Sequence, residues 1–204
     1  MNAQVAENTA APLPSVPPNA PQFGPSSAAA LCRWLYTRSG WRVAGEFPDV
    51  PKLVAIAAPH STNWDVVVGL LVKVGLRLDV HFIGKREAFF WPLGPLLRNF
   101  GGIAIDRSAA HGVVGEMRKQ FASHERFWLA LAPEGTRKKV IKWKSGFWHI
   151  ARAAQVPILP VYFHYPEKIV GLGPLFHPSD DLDADMARLR EFYRPFQGKN
   201  RGTV

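Results

Sequence analysis

Between residues 50 and 165 the chain alternates short apolar runs with longer stretches of mixed polarity. Residues 53–57, 80–84, 102–105, 127–132 and 158–163 are runs of Val, Ile, Leu, Phe and Ala bounded by Pro, Gly, Asp or Arg, which predicts five strands. Residues 63–75, 110–124, 145–154 and 181–192 carry apolar positions at helical spacing and predict helices. Strands interleaved with helices imply an α/β fold. The expected architecture is a single layered domain with a mixed, largely parallel sheet flanked by helices. Folds of this kind keep their sites in the loops beyond the strand ends.

The ends of this pattern differ from its middle. Residues 1–25 hold six of the eighteen prolines and a single charge, Glu7. That composition predicts a disordered Pro/Ala-rich tail ahead of one domain over residues 26–204. Ser26 or Ser27 is positioned to cap a helix ending near Gly40, with Leu31, Trp34 and Leu35 on one face. Two readings of residues 26–42 stand open: a helix on a membrane surface, or one docked on its own domain. Residues 85–98, with Phe89, Phe90, Trp91 and three leucines between cations, carry the same two readings. They form either a lip dipping into lipid headgroups or a loop-helix packed on the sheet.

Composition narrows the partners. Lys and Arg number 25 against 16 acids, a formal charge of +9 that favours anionic lipid, phosphorylated substrates or nucleic acid. The single Cys32 excludes an internal disulfide framework and fits a reducing compartment. With no CxxC, no HExxH and no clustered Cys and His, no metal site is expected. The start of the chain lacks a signal-peptide pattern, and the longest apolar stretch, residues 66–76, is broken by Gly69, Lys73 and Gly75. It falls short of the roughly 18 apolar residues a membrane span needs. A protein that lies on a bilayer rather than crossing it is expected.

The candidate chemistry sits at predicted strand ends. Pro59-His60-Ser61-Thr62-Asn63-Trp64-Asp65 follows the first strand and opens a helix. There Asp65 can fold back on one ring nitrogen of His60, fixing its tautomer and leaving the other nitrogen to accept a proton from a hydroxyl. A surface turn would read the same. Gly101-Gly102-Ile103-Ala104-Ile105-Asp106-Arg107 delivers Arg107 to a strand end, either to hold a phosphate bidentately or to pair with Asp106. Pro133-Glu134-Gly135-Thr136-Arg137 offers close backbone approach at Gly135, with a hydroxyl and a guanidinium for an anion. Lys138, Lys139, Lys142 and Lys144 extend that basic run. Val156-Pro157-Ile158-Leu159-Pro160-Val161 suits a strand start.

In this order the four blocks resemble the glycerolipid acyltransferases, the family typified by 1-acylglycerol-3-phosphate acyltransferases. The resemblance covers roughly residues 50 to 165. Pro59 stands where many members carry Asn, and Ala132 where many carry Phe. The chain is also shorter than many members and lacks their long apolar N-terminal anchor, which implies peripheral attachment, on the cytoplasmic, inner face of a membrane. The resemblance implies transfer of a fatty acyl group from acyl-CoA or acyl carrier protein to the hydroxyl of a lysophosphatidic-acid-like acceptor in phospholipid biosynthesis. His60 and Asp65 would be catalytic, and Arg107, Glu134, Gly135, Thr136 and Arg137 would hold the acceptor phosphate. The thioester arrives activated, so no cofactor or metal is implied. The implied partners are a lysophospholipid, the thioester donor and an anionic membrane surface. A different lysolipid, such as lyso-ornithine lipid, is an alternative acceptor. A non-catalytic basic module for membrane or nucleic acid is the rival from another class. It lacks any nucleic-acid-binding pattern and leaves His60 and Asp65 without a role, so no nucleic-acid partner is expected.

Overall fold

The computed structural model describes residues 13–105, 110–136, 140 and 142–200. In chain order the elements are α1 (Ser27–Arg38), β1 (Arg42–Ala44), β2 (Lys52–Ala58), α2 (Asn63–Gly75), β3 (Val80–Lys85), a short 3-10 turn (Arg86–Ala88), α3 (Leu93–Asn99) and β4 (Gly102–Ile105). There follow α4 (Ala110–Ser123), β5 (Phe127–Leu131), α5 (Gly146–Ala154), β6 (Ile158–His164), β7 (Ile169–Leu172) and α6 (Leu182–Tyr193).

One seven-stranded sheet in the order β1-β7-β6-β2-β5-β3-β4 carries the domain. Strands β6, β2, β5, β3 and β4 run parallel, while β7 returns antiparallel to β6 and pairs parallel with β1. The mixed, largely parallel sheet expected from the sequence is therefore present. Its centre is β2, whose two faces are both buried, as a strand covered by helices on each side requires. Val54, Ile56 and Ala58 enter one core with Met117 and Phe121 of α4, Phe147 and Ile150 of α5, and Leu189 and Tyr193 of α6. Leu53 and Ala55 face the other way, beside Leu78, Trp128 and Ala20. On that second face Tyr36 of α1 packs with Val68 and Val72 of α2.

All five predicted strands and all four interior helices form, with ends shifted by a residue or two. The periodicity did not predict β1, β7 or α3 as separate elements. Segment 13–25, expected to be a flexible tail, instead packs on the domain. Ala20 is fully buried, Asn19 N–H donates to Asp49 Oδ1 at 2.9 Å, Phe23 N–H donates to the Arg77 carbonyl at 2.9 Å, and Gln22 bridges Leu78. Its prolines disfavour helix but leave an extended strip free to lie along an apolar surface. Residues 1–12 of that expected tail lie outside the described residues.

Helix α1 docks on the domain by one face. Ala29 and Tyr36 are buried against the domain, while Leu31, Trp34 and Leu35 stay exposed. Ser26 is the N-cap, although its side chain makes no capping hydrogen bond. In residues 85–98, Phe89 is buried, whereas Phe90, Trp91, Leu93 and Leu96 are exposed, Trp91 by 84%. Among the described residues no helix is long and apolar enough to cross a membrane.

Candidate active site

Parallel register brings the ends of β2, β5 and β6 side by side, since Ile56 pairs with Leu131 and Ala58 with Tyr162. The loops that leave these three strands meet over the end of the sheet. After β2 the chain turns through Pro59–Ser61 and enters α2 at the N-cap Thr62. A capping box closes this start: Thr62 Oγ1 accepts the Trp64 N–H at 2.8 Å, and the Asp65 carboxylate accepts the Thr62 N–H at 2.8 Å.

Asp65 thus serves two structures at once. Its Oδ2 also accepts the Ser61 N–H at 2.7 Å and lies 3.4 Å from His60 Nδ1. Its Oδ1 accepts the Tyr165 hydroxyl at 2.5 Å. Burial, the largest influence, pushes this carboxyl up. Hydrogen bonds from His60, Tyr165 and Thr62 outweigh it, holding the group below its ordinary range and charged. The Asp65 side chain is fully enclosed, whereas that of His60 is 18% exposed. With Nδ1 turned to the carboxylate, Nε2 is left as the proton acceptor.

Beyond β5 the chain turns at Pro133 and presents Glu134, which is 2% exposed. Both of its oxygens accept the His60 backbone N–H, at 2.9 and 3.1 Å, tying the two loops together. Burial pushes the Glu134 carboxyl up to about 7. The His60 N–H opposes that rise and the Asp65 charge reinforces it. Gly135 follows with φ +65°, and a Cβ there would come within 2.9 Å of the Lys144 side chain. The left-handed φ favours glycine, and a larger residue would also have to displace the Lys144 tail. Thr136 is exposed.

The structure brings His60, Asp65, Glu134 and Gly135 into one site, with Thr136 on the same loop. Arg107 and Arg137, expected to hold an acceptor phosphate, lie outside the described residues. Two contributors were missed by sequence reasoning. Tyr165 follows β6 immediately, and a polar side chain one residue beyond a strand neighbouring β2 was the available signal. Segment 196–200 crosses the histidine loop. There Asn200 Nδ2 donates to the Ser61 carbonyl at 2.9 Å, and Lys199 Nζ stands 5.4 Å above the Trp64 ring. Nothing in the sequence pairs these distant residues. Among the described residues no cluster of His, Cys, Asp or Glu could hold a metal ion.

A family model described as Acyltransferase matches residues 46–164, more than half of the chain. The 1-acyl-sn-glycerol-3-phosphate acyltransferase of Haemophilus influenzae is 27% identical over 150 residues, covering 67% of this chain and 61% of that protein. The enzyme of the same name from Escherichia coli is 32% identical over 111 residues, covering 51% of this chain and 44% of that protein. A human lysophospholipid acyltransferase is 34% identical over 127 residues, covering 57% of this chain and 22% of that protein. The chain therefore matches less than two thirds of the length of each of these relatives. The crystal structure of a 1-acyl-sn-glycerophosphate acyltransferase from Thermotoga maritima superposes with a TM-score of 0.53 at 18% identity, covering 84% of this chain and 80% of that one. That likeness concerns the fold.

Proposed function

This chain belongs to the acyltransferase family, and from that premise we propose that it moves a fatty acyl group from a thioester to the free hydroxyl of a lysophosphatidic-acid-like acceptor. His60 Nε2 takes the hydroxyl proton as the oxygen attacks the thioester carbonyl. The C–S bond then breaks, an ester forms, and the proton passes from His60 to the departing thiolate. Asp65 holds the imidazole by Nδ1 and stabilises the imidazolium. The donor is acyl-CoA or acyl carrier protein.

The observation that carries this reading is a charged, enclosed Asp65 carboxylate 3.4 Å from Nδ1 of a histidine that itself reaches solvent. A purely structural capping residue has no need of that imidazole. His60→Ala should lower turnover of a thioester with lysophosphatidic acid by about 10²-fold or more, with the folded spectrum unchanged. Near wild-type turnover would remove His60 from the chemistry.

Gly135, Thr136, Arg107 and Arg137 are proposed to hold the acceptor phosphate, with Glu134 shaping that pocket through its bond to the His60 backbone. Support comes from the blocks these residues occupy and from the meeting of the β2 and β5 loops. Arg137→Ala should raise KM for the acceptor more than for the donor, and equal effects would withdraw the assignment. The names of the matched relatives include both 1-acyl-sn-glycerol-3-phosphate and lysophospholipid acyltransferases. A panel of lysolipids, phosphate-free ones included, therefore decides the headgroup. The exposed Leu31, Trp34, Phe90 and Trp91, together with the charge of +9, support peripheral attachment to an anionic membrane, assigned to the inner, cytoplasmic face.

A further inference from the structure

The Asp65 carboxylate is fixed from two directions. Oδ2 is held by the backbone of its own loop, through the N–H groups of Ser61 and Thr62. Those bonds leave the planar group free to tilt about its last torsion, which is intrinsically broad for an aspartate. Oδ1 is held by the Tyr165 hydroxyl, which arrives 100 residues later from the end of β6. With both oxygens occupied, the plane is set and Oδ2 faces the imidazole.

Tyr165 is itself seated by segment 196–200. Its N–H donates to the Gln197 carbonyl at 2.9 Å, and the Gln197 N–H donates to His164 Nδ1 at 3.1 Å. One residue earlier, the Phe196 ring lies flat on Tyr162, with centroids 3.5 Å apart. On its other side the Tyr165 ring meets Trp41 edge-on at 4.9 Å. The segment then passes so close over the histidine loop that a Cβ at Gly198 would fall 2.7 Å from Ser61 Oγ. Asn200 ends the crossing with its two bonds to Ser61, from Nδ2 to the carbonyl and from N–H to Oγ at 3.3 Å. One strap thus grips both the residue that orients Asp65 and the loop that carries His60.

We propose that Tyr165, seated by the 196–200 strap, is a positioning residue for acyl transfer that sets the plane of Asp65 against His60. It rests on the reading of His60 as general base. A phenol suits the task because it is a neutral donor. It orients the carboxylate without cancelling the charge that stabilises an imidazolium, as a lysine or arginine would. Burial, its bond to Asp65 and the Asp65 charge all push the Tyr165 hydroxyl up, so it keeps its proton across the neutral range. The titratable groups around Asp65 are His60 on the same loop, Tyr165 after β6 and Glu134 after β5.

Tyr165→Phe in the full chain removes the hydroxyl and keeps the ring against Trp41. A hydrogen bond to a charged group is among the stronger ones in a protein, so kcat should fall by about tenfold or more. KM for both substrates should stay within about twofold, because the hydroxyl is engaged by Asp65. The acid limb of the kcat profile should move to higher pH, since a carboxylate relieved of one donor stabilises the neighbouring imidazolium more strongly. Asn200→Ala should give a smaller loss of kcat and serves as the readout if Tyr165→Phe does not fold. The double variant should lose less than the product of the single losses, because both act on one loop. A wild-type kcat and acid limb in Tyr165→Phe, where His60→Ala is inactive, would overturn the positioning role and leave the base assignment standing. Multiplicative losses in the double variant would overturn the part given to the strap. An active His60→Ala would overturn the base assignment and this proposal together.

Discussion

Glu134 occupies a position that is costly for an ionised carboxylate. It is enclosed, close to the Asp65 charge, and bonded to one backbone N–H. In the unfolded chain its carboxyl ionises near the ordinary 4.5, whereas in the fold it keeps its proton up to about 7. Between those values the folded state binds more protons, so stability falls as pH rises through the window. Glu134→Gln preserves an acceptor for the His60 N–H and removes the titration. Urea midpoints at pH 5 and pH 7.5 should therefore differ less in the variant than in the parent, and an equal difference would contradict the account. Asp65 has the opposite sign. Its carboxyl is depressed, and the stability it adds is lost only as pH falls below the ordinary carboxylate range. His60 and Asp65 were legible in the sequence because a strand, a turn and a helix start are all local. Tyr165 was not, because its role exists only once β6 lies beside β2.

Among the elements, α5 and α6 are joined by a third enclosed carboxylate. Asp185 on α6 accepts Trp148 Nε1 of α5 at 2.8 Å, the Ser179 N–H at 2.6 Å and the Ser179 hydroxyl at 2.8 Å, and it pairs with Arg188. Asp185→Ala would strand the buried Trp148 Nε1 donor and take one acceptor from the half-buried Ser179 N–H and hydroxyl. It should destabilise the fold by about 1–3 kcal/mol, read as a shift in urea midpoint. A loss below about 1 kcal/mol would mean water replaces the carboxylate readily. The periodic helices and the five predicted strands were readable because each is a local apolar run or a periodic face. Strand β1 has three residues, too few for alternation to register, and its pairing with β7 is visible only in the assembled sheet. Segment 13–25 was misread for a related reason. Its contacts, such as Arg126 Nη1 donating to the Pro18 carbonyl at 2.8 Å, join residues 108 positions apart.

For the molecule as a whole, the exposed Trp34 on α1 and Trp91 before α3 leave large apolar surfaces without a protein partner among the described residues. Set on a chain of charge +9, they predict binding to vesicles rich in phosphatidylglycerol, weakened by salt and by neutral lipid. Trp34→Ala with Trp91→Ala should weaken that binding by about tenfold, or about 1.4 kcal/mol, in a flotation assay. Unchanged flotation would assign those rings another purpose. The crossing of residues 196–200 over the histidine loop bears on how the protein is made. Ser61 and Asn200 are 139 positions apart, so the ribosome has built the whole sheet before the last bonds to that loop can form. A nascent chain halted at residue 190 would own its histidine and its aspartate yet lack the clasp. On this geometry, the histidine loop is clasped only once residue 200 has been made.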